Sequence, residues 1–279
     1  MDVKKSILKE VYKRRDEWSR KFDFGHLLVI GGSKQYSGSP AFNALAALRS
    51  GVDLVTIAAP ERAADIVASF APDLIAYPLE GDYLNKKHLP ELLKLTQNKT
   101  AVVIGGGLCR EKEILETILE YLKKISIPCV IDADAIHAVA LDKNIVRERK
   151  FVITPHNYEF KVLSGKEVST TPLERINSVI KLADDLKTII LLKGHIDIIS
   201  DGNEAALNET GSPYMTKGGC GDTLAGICGA LLARGTNAFT AACASAYING
   251  KAGEIASKRF GESLTASDLI NSIPEAITY

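Results

Sequence analysis

The chain has 279 residues, 46% of them hydrophobic and 24% charged, a composition typical of a globular α/β protein. Its 34 basic and 34 acidic side chains cancel, which argues against a nucleic-acid partner or a polybasic membrane surface. The five cysteines contain no C-x-x-C pair and no apolar run reaches the length of a membrane span, so we expect reduced thiols, no zinc site and a cytoplasmic location.

The first half of the chain alternates between predicted helices and strands. Residues 3–18 have an amphipathic pattern, which predicts a leading helix within residues 1–20 that packs on the domain, packs on another subunit or leaves a solvated face. Ser39 followed by Pro40 predicts an N-cap and the start of a helix that ends near residue 50. The remaining predicted strands and helices in this half are, in order, strand 26–32, strand 52–59, helix 61–70, strand 74–79, helix 86–96, strand 100–104 and helix 111–124.

The second half continues the alternation. Thr171 and Glu174 form the pattern of a capping box, which predicts a helix to about residue 186. The other predicted elements are strand 129–131, a helix from about 135, strands 151–154 and 188–192, a hairpin over 196–207, helices 223–233 and 239–256, and a last helix capped over 265–268. This order predicts one α/β domain over residues 1–279 with a mostly parallel sheet between two helical layers.

Polar clusters follow four of the predicted strands. The glycines 105–107, the pair Asp132 and Asp134, the segment around His156, and Lys193 all come directly after apolar runs. The carboxyl ends of parallel strands lie along one rim, so these clusters are expected to form a single site. Separately each is ambiguous: the glycines suit close approach to a ligand or a flexible turn, the two aspartates suit a metal–phosphate or a helix cap, and a lone histidine is more often structural.

The segment 217–226, K-G-G-C-G-D-T-L-A-G, is the most informative stretch. A glycine turn that opens a helix directs several backbone N–H groups, and the positive end of the helix dipole, towards one point. Gly219, Cys220 and Gly221 are therefore the predicted anion hole. Asp222 is either an ordinary N-cap or a general base.

Other chemistries lack their patterns. The sequence has no serine elbow, no cysteine and histidine at nucleophile spacing, no G-x-x-x-x-G-K-[ST] loop and no dinucleotide fingerprint. Phosphoryl transfer remains, with the glycine turn neutralising charge and Asp222 accepting a proton. Mg²⁺ is expected because phosphate oxygens need neutralising; no dedicated ligand set is apparent, and Asp132 and Glu159 are the residues to test.

The motifs occur together in a recognisable order. The segments H-L-L-V-I-G-G-S, S-G-S-P-A-F-N-A-L-A-A-L-R-S-G, G-G-G-L, D-A-D-A, T-P-H-x-x-E, L-L-K-G and G-G-C-G-D-T-L-A-G resemble those of ADP-dependent NAD(P)H-hydrate dehydratases, in the ribokinase-like superfamily. The resemblance covers about residues 20–275. It implies a three-layer αβα sandwich and a carbon–oxygen lyase that uses ADP to dehydrate the S-form of hydrated NADH or NADPH, giving AMP and phosphate.

The resemblance also implies roles for residues at matching positions. Asp222 is the expected catalytic residue, and it would contact the hydrated nicotinamide nucleotide together with Ser39, Gly107 and His156. The ADP- or AMP-binding residues implied are Lys193, Gly194, His195, Ile196, Asp197 and Gly221.

Three positions depart from the family pattern. Gly106 lies where the family usually has proline, Cys220 where it has threonine, and Ser39 where small alanines are common. Many relatives carry an epimerase domain; with about 20 residues before the first strand we expect that activity on a separate chain. We also expect a homo-oligomer, with a tetramer as the working assumption, and residues 241–246 and the leading helix as its candidate interfaces.

Two alternatives stay open at this point. A small-molecule kinase of the same superfamily, of the hydroxyethylthiazole or hydroxymethylpyrimidine kinase type, would share the glycine turn and Asp222. A nucleotide-binding regulator without catalysis would bind the nucleotide without turnover, although an intact Asp222 speaks against it.

Overall fold

The structure is a computed structural model that describes residues 1–278. Short runs rich in Val, Ile and Leu form its strands, as expected for strands buried on both faces. The strands are β1 (His26–Ile30), β2 (Leu54–Pro60), β3 (Ile75–Leu79), β4 (Ala101–Ile104), β5 (Cys129–Ile131), β6 (Phe151–Ile153), β7 (Ile189–Leu192), β8 (Asp197–Ser200) and β9 (Ala205–Asn208). The α-helices are α1 (Leu8–Val11), α2 (Gly38–Arg49), α3 (Glu61–Ala68), α4 (Leu89–Thr96), α5 (Lys112–Lys124), α6 (Asp134–Leu141), α7 (Asn157–Ser164), α8 (Pro172–Leu186), α9 (Cys220–Ala233), α10 (Ala238–Phe260) and α11 (Ala266–Ala276).

Across the described residues, nine strands form one sheet in the order β3-β2-β1-β4-β5-β6-β7-β8-β9. The pairs from β3 to β7 are parallel, and the β7–β8 and β8–β9 pairs are antiparallel. The predicted mostly parallel sheet and the hairpin are thereby confirmed. The strand order reverses between β1 and β4, and in open α/β sheets ligands bind beyond the carboxyl ends of the strands at such a point.

Helices cover both faces of the sheet and give the predicted three layers. One apolar cluster joins α2, α9, α10 and α11 to one face, and a second joins α4 to α8 to the other. Helix α9 packs very closely against α2 and β4 because Gly226 and Gly229 have no side chains. A Cβ at Gly226 would lie 2.2 Å from the carbonyl oxygen of Asn43, and one at Gly229 would lie 2.3 Å from Val103 Cγ2. This close packing brings the first turn of α9 against the first turn of α2.

The predicted leading helix is much shorter than expected. A 3-10 turn (Lys5–Ile7) and α1 are followed by irregular chain to β1. The apolar stripe ends at Val11, and beyond it Arg15 bonds to Asp53 at 3.2 Å and lies 3.7 Å from the ring centroid of Phe24, contacts that hold the chain in a non-helical path. Ile7, Leu8 and Val11 are buried, so this segment packs on its own domain.

Two local predictions were wrong here, and one helix was missed. The side chain of Thr171 makes no cap hydrogen bond. Ser169 Oγ instead donates to Glu174 Oε2 at 2.6 Å, so the Glu174 carboxylate does not complete the predicted capping box. Helix α7, directly after β6, was not predicted. Residues 241–246 are buried within the chain, so they cannot form an interface.

The predicted cap of the last helix over residues 265–268 is confirmed as a capping box. Within residues 1–278, no helix combines the length and the apolar character needed to cross a membrane.

Candidate active site

The glycine turn positions the start of helix α9. Gly219 is the N-cap residue, with φ 94°, and α9 begins at Cys220. A Cβ at Gly219 would lie 2.7 Å from both Ala266 and the Phe42 ring, so glycine is required for space as well as for the positive φ. Asp222 therefore lies in the first turn of the helix, and the prediction that it could be the N-cap was wrong.

Asp222 is held by two side chains of α2. Ser39 Oγ donates a hydrogen bond to Asp222 Oδ1, and Asn43 Nδ2 donates to the Asp222 carbonyl oxygen at 2.7 Å. Ser39 is not the N-cap that the sequence suggested, because α2 begins at Gly38 with Ser37 before it. The hydroxyl is consequently free to face α9 rather than the amides of its own helix.

Lys193 lies at the carboxyl end of β7 and links the neighbouring strand ends. Its Nζ is 2.8 Å from Asp132 Oδ1 and 3.8 Å from Glu159 Oε2. Thr154 Oγ1 donates to the same Asp132 oxygen at 2.7 Å. A Cβ at Gly221 would lie 3.5 Å from Lys193 Nζ, so the first turn of α9 meets this cluster. The polar residues after β5, β6 and β7 thus meet at one rim.

Burial sets the protonation behaviour of the carboxyl groups. Desolvation raises the pKa of Asp222 to about 6, the Asp132 and Glu159 carboxylates add to the rise, and Ser39 and Lys193 oppose it. Burial also raises the pKa of Glu159. For Lys193, burial favours the neutral amine, but Asp132 and Glu159 outweigh it and raise the pKa of the ammonium. A carboxylate with a pKa near neutrality, beside a fixed cation, is suited to accept a proton.

His156 has a structural role in this arrangement. It is the N-cap of α7: its Nδ1 accepts from the amides of Tyr158 at 3.1 Å and Glu159 at 3.3 Å. Glu159 completes the capping box by accepting from the His156 amide at 2.8 Å. The ring remains exposed, so a ligand contact by His156 is compatible with the cap and stays a prediction.

The turn after β4 is a close backbone approach. Gly105 has φ 137°, and a Cβ there would lie 1.7 Å from the Asp132 carbonyl oxygen; Gly107 has φ 70°. Neither aspartate caps α6, whose N-cap is Ala133 at φ 48°. Asp134 instead accepts from the Cys109 amide at 2.9 Å.

The turn after β7 contains the residues predicted to bind the nucleotide. The Gly194 amide donates to Asp197 Oδ1 at 3.0 Å, Asn208 Nδ2 donates to Asp197 Oδ2 at 3.0 Å, and burial raises the pKa of Asp197 to about 6. His195 and Ile196 lie between them, the histidine exposed. Arg175 Nη2 donates to the Lys193 carbonyl oxygen at 3.3 Å, which places an unpredicted cation beside this turn.

The residues tested for a metal do not form a chelating set. Within residues 1–278, no group of three or more His, Cys, Asp or Glu side chains could hold a metal ion. Asp132 and Glu159, the two candidates, both face the Lys193 ammonium, which would repel a cation placed between them. These side chains alone do not fit Mg²⁺.

Sequence reasoning missed four supporting residues. Asn43 and Thr154 contact Asp222 and Asp132, Arg175 contacts the turn after β7, and Asn249 Oδ1 accepts from Thr223 Oγ1 at 2.7 Å in the first turn of α9. Thr154 lies within the T-P-H-x-x-E motif and Asn43 within the S-G-S-P-A-F-N-A-L-A-A-L-R-S-G motif, but neither motif indicated a role for these two side chains. Arg175 and Asn249 lie in ordinary helical patterns, and the fold brings them to the site.

Known proteins share sequence and fold with this chain. The chain matches the family described as NAD(P)H-hydrate dehydratase over residues 27–275. It is 44% identical over 261 residues to a bifunctional NAD(P)H-hydrate repair enzyme of Pyrobaculum aerophilum, covering 93% of this chain and 52% of that protein. It is 38% identical over 267 residues to an ADP-dependent (S)-NAD(P)H-hydrate dehydratase of Cenarchaeum symbiosum, covering 95% and 92%. The chain thus spans about half the length of the first curated relatives that it matches.

Solved structures share the fold. A ribokinase-like superfamily protein of Enterococcus faecalis superposes with a TM-score of 0.85 at 24% identity, covering 98% of this chain and 94% of the other. The Bacillus subtilis ADP/ATP-dependent NAD(P)H-hydrate dehydratase, co-crystallised with ATP/Mg²⁺, gives 0.83 at 23%, covering 99% and 96%. A hydroxyethylthiazole kinase of Pyrococcus horikoshii gives only 0.62 at 16%, covering 97% and 92%.

The ribokinase-like αβα sandwich expected from the motifs is confirmed. The family match extends over almost the whole sheet and both helical layers, from β1 to α11. On this evidence the chain belongs to the NAD(P)H-hydrate dehydratase family.

Proposed function

We propose that the chain is a carbon–oxygen lyase that dehydrates the S-form of NADH or NADPH hydrate at the expense of ADP. The observation that carries the proposal is the half-buried Asp222 carboxyl, with its pKa raised to about 6, in the first turn of a glycine-opened helix. The name of the Cenarchaeum symbiosum relative, of which this chain covers 92%, supports the same activity.

The reaction has two steps in this proposal. In the first step the hydroxyl oxygen of the hydrate attacks the terminal phosphorus of ADP while Asp222 accepts the hydroxyl proton, and AMP leaves. The C–O bond of the phosphate ester then breaks and the neighbouring carbon gives its proton to the departing phosphate, which leaves the C=C bond of NAD(P)H and releases hydrogen phosphate. The amides of Gly219, Cys220 and Gly221 and the ammonium of Lys193 stabilise the charge on the transferring group. The Cys220 amide also lies 3.4 Å from the Lys217 carbonyl oxygen and would exchange this long contact for the phosphate.

The two substrates are proposed to lie on either side of Asp222. The nucleotide would bind along the turn after β7, with Lys193 to Asp197 on one side and Gly221 on the other; the unhindered Cα of Gly221, near Lys193 Nζ, supports this. The hydrated nicotinamide would face Gly107 and His156. Mg²⁺ would be held by the ADP phosphates and by water molecules, since this ion commonly keeps several waters and takes few protein ligands.

Three features of the whole protein are also proposed. The alternation of strands and helices supports a single domain over residues 1–279, and the resemblance supports a homo-oligomer, with a tetramer as the expected form. A tetramer of 30.1 kDa chains would have a mass of about 120 kDa, which light scattering on a size-exclusion column would measure. The odd number of unpatterned cysteines supports a cytoplasmic location.

The test is an absorbance assay at the reduced-nicotinamide band. Purified protein is mixed with NADH hydrate, Mg²⁺ and either ADP or ATP, and AMP or ADP is measured alongside phosphate. We expect NADH, AMP and phosphate in equal amounts with ADP, and no NADH from the Asp222→Asn variant. Phosphorylation of vitamin-precursor alcohols without NADH formation would instead identify a small-molecule kinase, and nucleotide binding without any turnover would identify a regulator.

A further inference from the structure

Gly106 differs from the two glycines beside it. Gly105 and Gly107 have φ values of 137° and 70°, a region that favours glycine, whereas Gly106 does not lie in that region. An alanine backbone could adopt its conformation. What excludes a side chain is space: a Cβ at Gly106 would lie 1.8 Å from Ser39 Oγ, 2.9 Å from Asp222 Oδ1 and 3.1 Å from Ser39 Cβ.

The groups around Gly106 have little freedom to move apart. The Gly106 carbonyl oxygen accepts the Gly32 amide at 2.8 Å, which fixes the turn after β4 against the turn after β1. On the other side, Asn43 Nδ2 holds the Asp222 backbone at 2.7 Å. The Ser39 hydroxyl therefore occupies the volume that a side chain at position 106 would need.

We propose that Ser39 is a positioning residue that orients the Asp222 carboxylate, and that the absence of a side chain at position 106 makes this possible. The Ser39 hydroxyl donates to Oδ1, which leaves Oδ2 to accept the proton of the substrate hydroxyl. The two positions form one unit, and both are positions at which this sequence departs from the family pattern. The role of Ser39 rests on Asp222 being the base, as proposed above.

Several charged groups face Asp222 and set the background against which Ser39 acts. Asp132 at the end of β5 and Glu159 in α7 raise its pKa, while Lys193 at the end of β7 and the Ser39 hydrogen bond lower it. Ser39 is the neutral donor among these groups, so its removal takes no charged side chain from the site. Loss of its hydrogen bond frees the carboxylate to turn and lets the pKa of Asp222 rise further, so kcat is compared at a pH well above 6.

The first arm of the test measures kinetics of the full chain. A hydrogen bond to a charged group contributes enough that Ser39→Ala and Gly106→Ala should each lower kcat about 10- to 100-fold. KM for the hydrate and for ADP should stay within about threefold, because Ser39 acts through Asp222 rather than on either substrate. The double variant should be no slower than the slower single variant. A raised KM for the hydrate with unchanged kcat would make Ser39 a substrate contact and overturn the proposal.

The second arm does not need activity. Urea unfolding of the wild type, the two single variants and the double variant forms a mutant cycle. Gly106→Ala should lower the urea midpoint more in the presence of Ser39 than in the Ser39→Ala background, where the Oγ clash is absent. Additive midpoints would refute the contact even if the wild type shows no dehydratase activity. Ser37→Ala is the control, since the Ser37 side chain makes no cap hydrogen bond, and it should alter neither kcat nor the midpoint.

Discussion

Replacing Asp222 by asparagine is expected to stabilise the folded protein at neutral pH while abolishing turnover. The pKa of Asp222 rises from 3.8 to about 6, chiefly because the carboxyl is desolvated, with Asp132 and Glu159 adding repulsion. At about 1.4 kcal/mol per pKa unit, this rise corresponds to about 3 kcal/mol of free energy that the ionised group costs the folded state. Asparagine has nearly the shape of the protonated acid, and its oxygen can still accept the hydrogen bond from Ser39.

The effect depends on pH in a defined direction. Below pH 3.8 the carboxyl is protonated in both the folded and the unfolded chain, so its ionisation does not lower the free energy of unfolding. Between 3.8 and about 6 the unfolded chain ionises while the folded chain keeps its proton, and the cost grows. Above about pH 6 the cost is complete. The free energy of unfolding of the variant should therefore exceed that of the wild type by about 3 kcal/mol at pH 7.5, and by little near pH 4.

Urea unfolding at pH 4, 5, 6 and 7.5 tests this reasoning, with NADH formation measured on the same samples. Asp185→Asn, which changes an exposed carboxyl on α8, is the matched control and should show no pH-dependent gain. An Asp222→Asn protein that is no more stable than the wild type at pH 7.5, or a gain that is the same at every pH, would refute the assignment of a raised pKa to Asp222.

The remaining predictions concern binding, the buried ion pairs and the pH profile. Gly221→Val should weaken ADP binding at least tenfold in calorimetry, because its Cβ would lie 3.5 Å from Lys193 Nζ and the side chain would fill the proposed phosphate site. An unchanged affinity would place the nucleotide elsewhere. Lys193→Met should destabilise the fold by about 3–5 kcal/mol in urea unfolding, because it leaves the buried carboxylates of Asp132 and Glu159 without their cation; a neutral effect would contradict the ion pairing. The profile of kcat/KM should fall below about pH 6 as Asp222 takes up a proton, and a profile flat from pH 5 to 7 would exclude it as the base.

The sequence determined the architecture closely. The strands at 26–30, 101–104 and 189–192 fall within the predicted runs, because each is an uninterrupted apolar stretch bounded by glycine or polar residues. Several family motifs also lie directly after the strands whose carboxyl ends form the shared rim, as their positions in the sequence predicted. Local capping was less predictable. Thr171 had the right pattern, but a competing hydroxyl at Ser169 took the partner that the capping box required.

The tertiary structure alone decided which polar groups meet. Ser39 and Asp222 are separated by 183 positions and Lys193 and Asp132 by 61, and no local pattern links either pair. The pKa of Asp222 likewise depends on burial between α2, α9 and the strand ends, which a sequence does not state. Periodicity reports only which face of an element is apolar; the distance between two side chains depends on how closely the helices pack, and here glycines such as Gly226 set that distance.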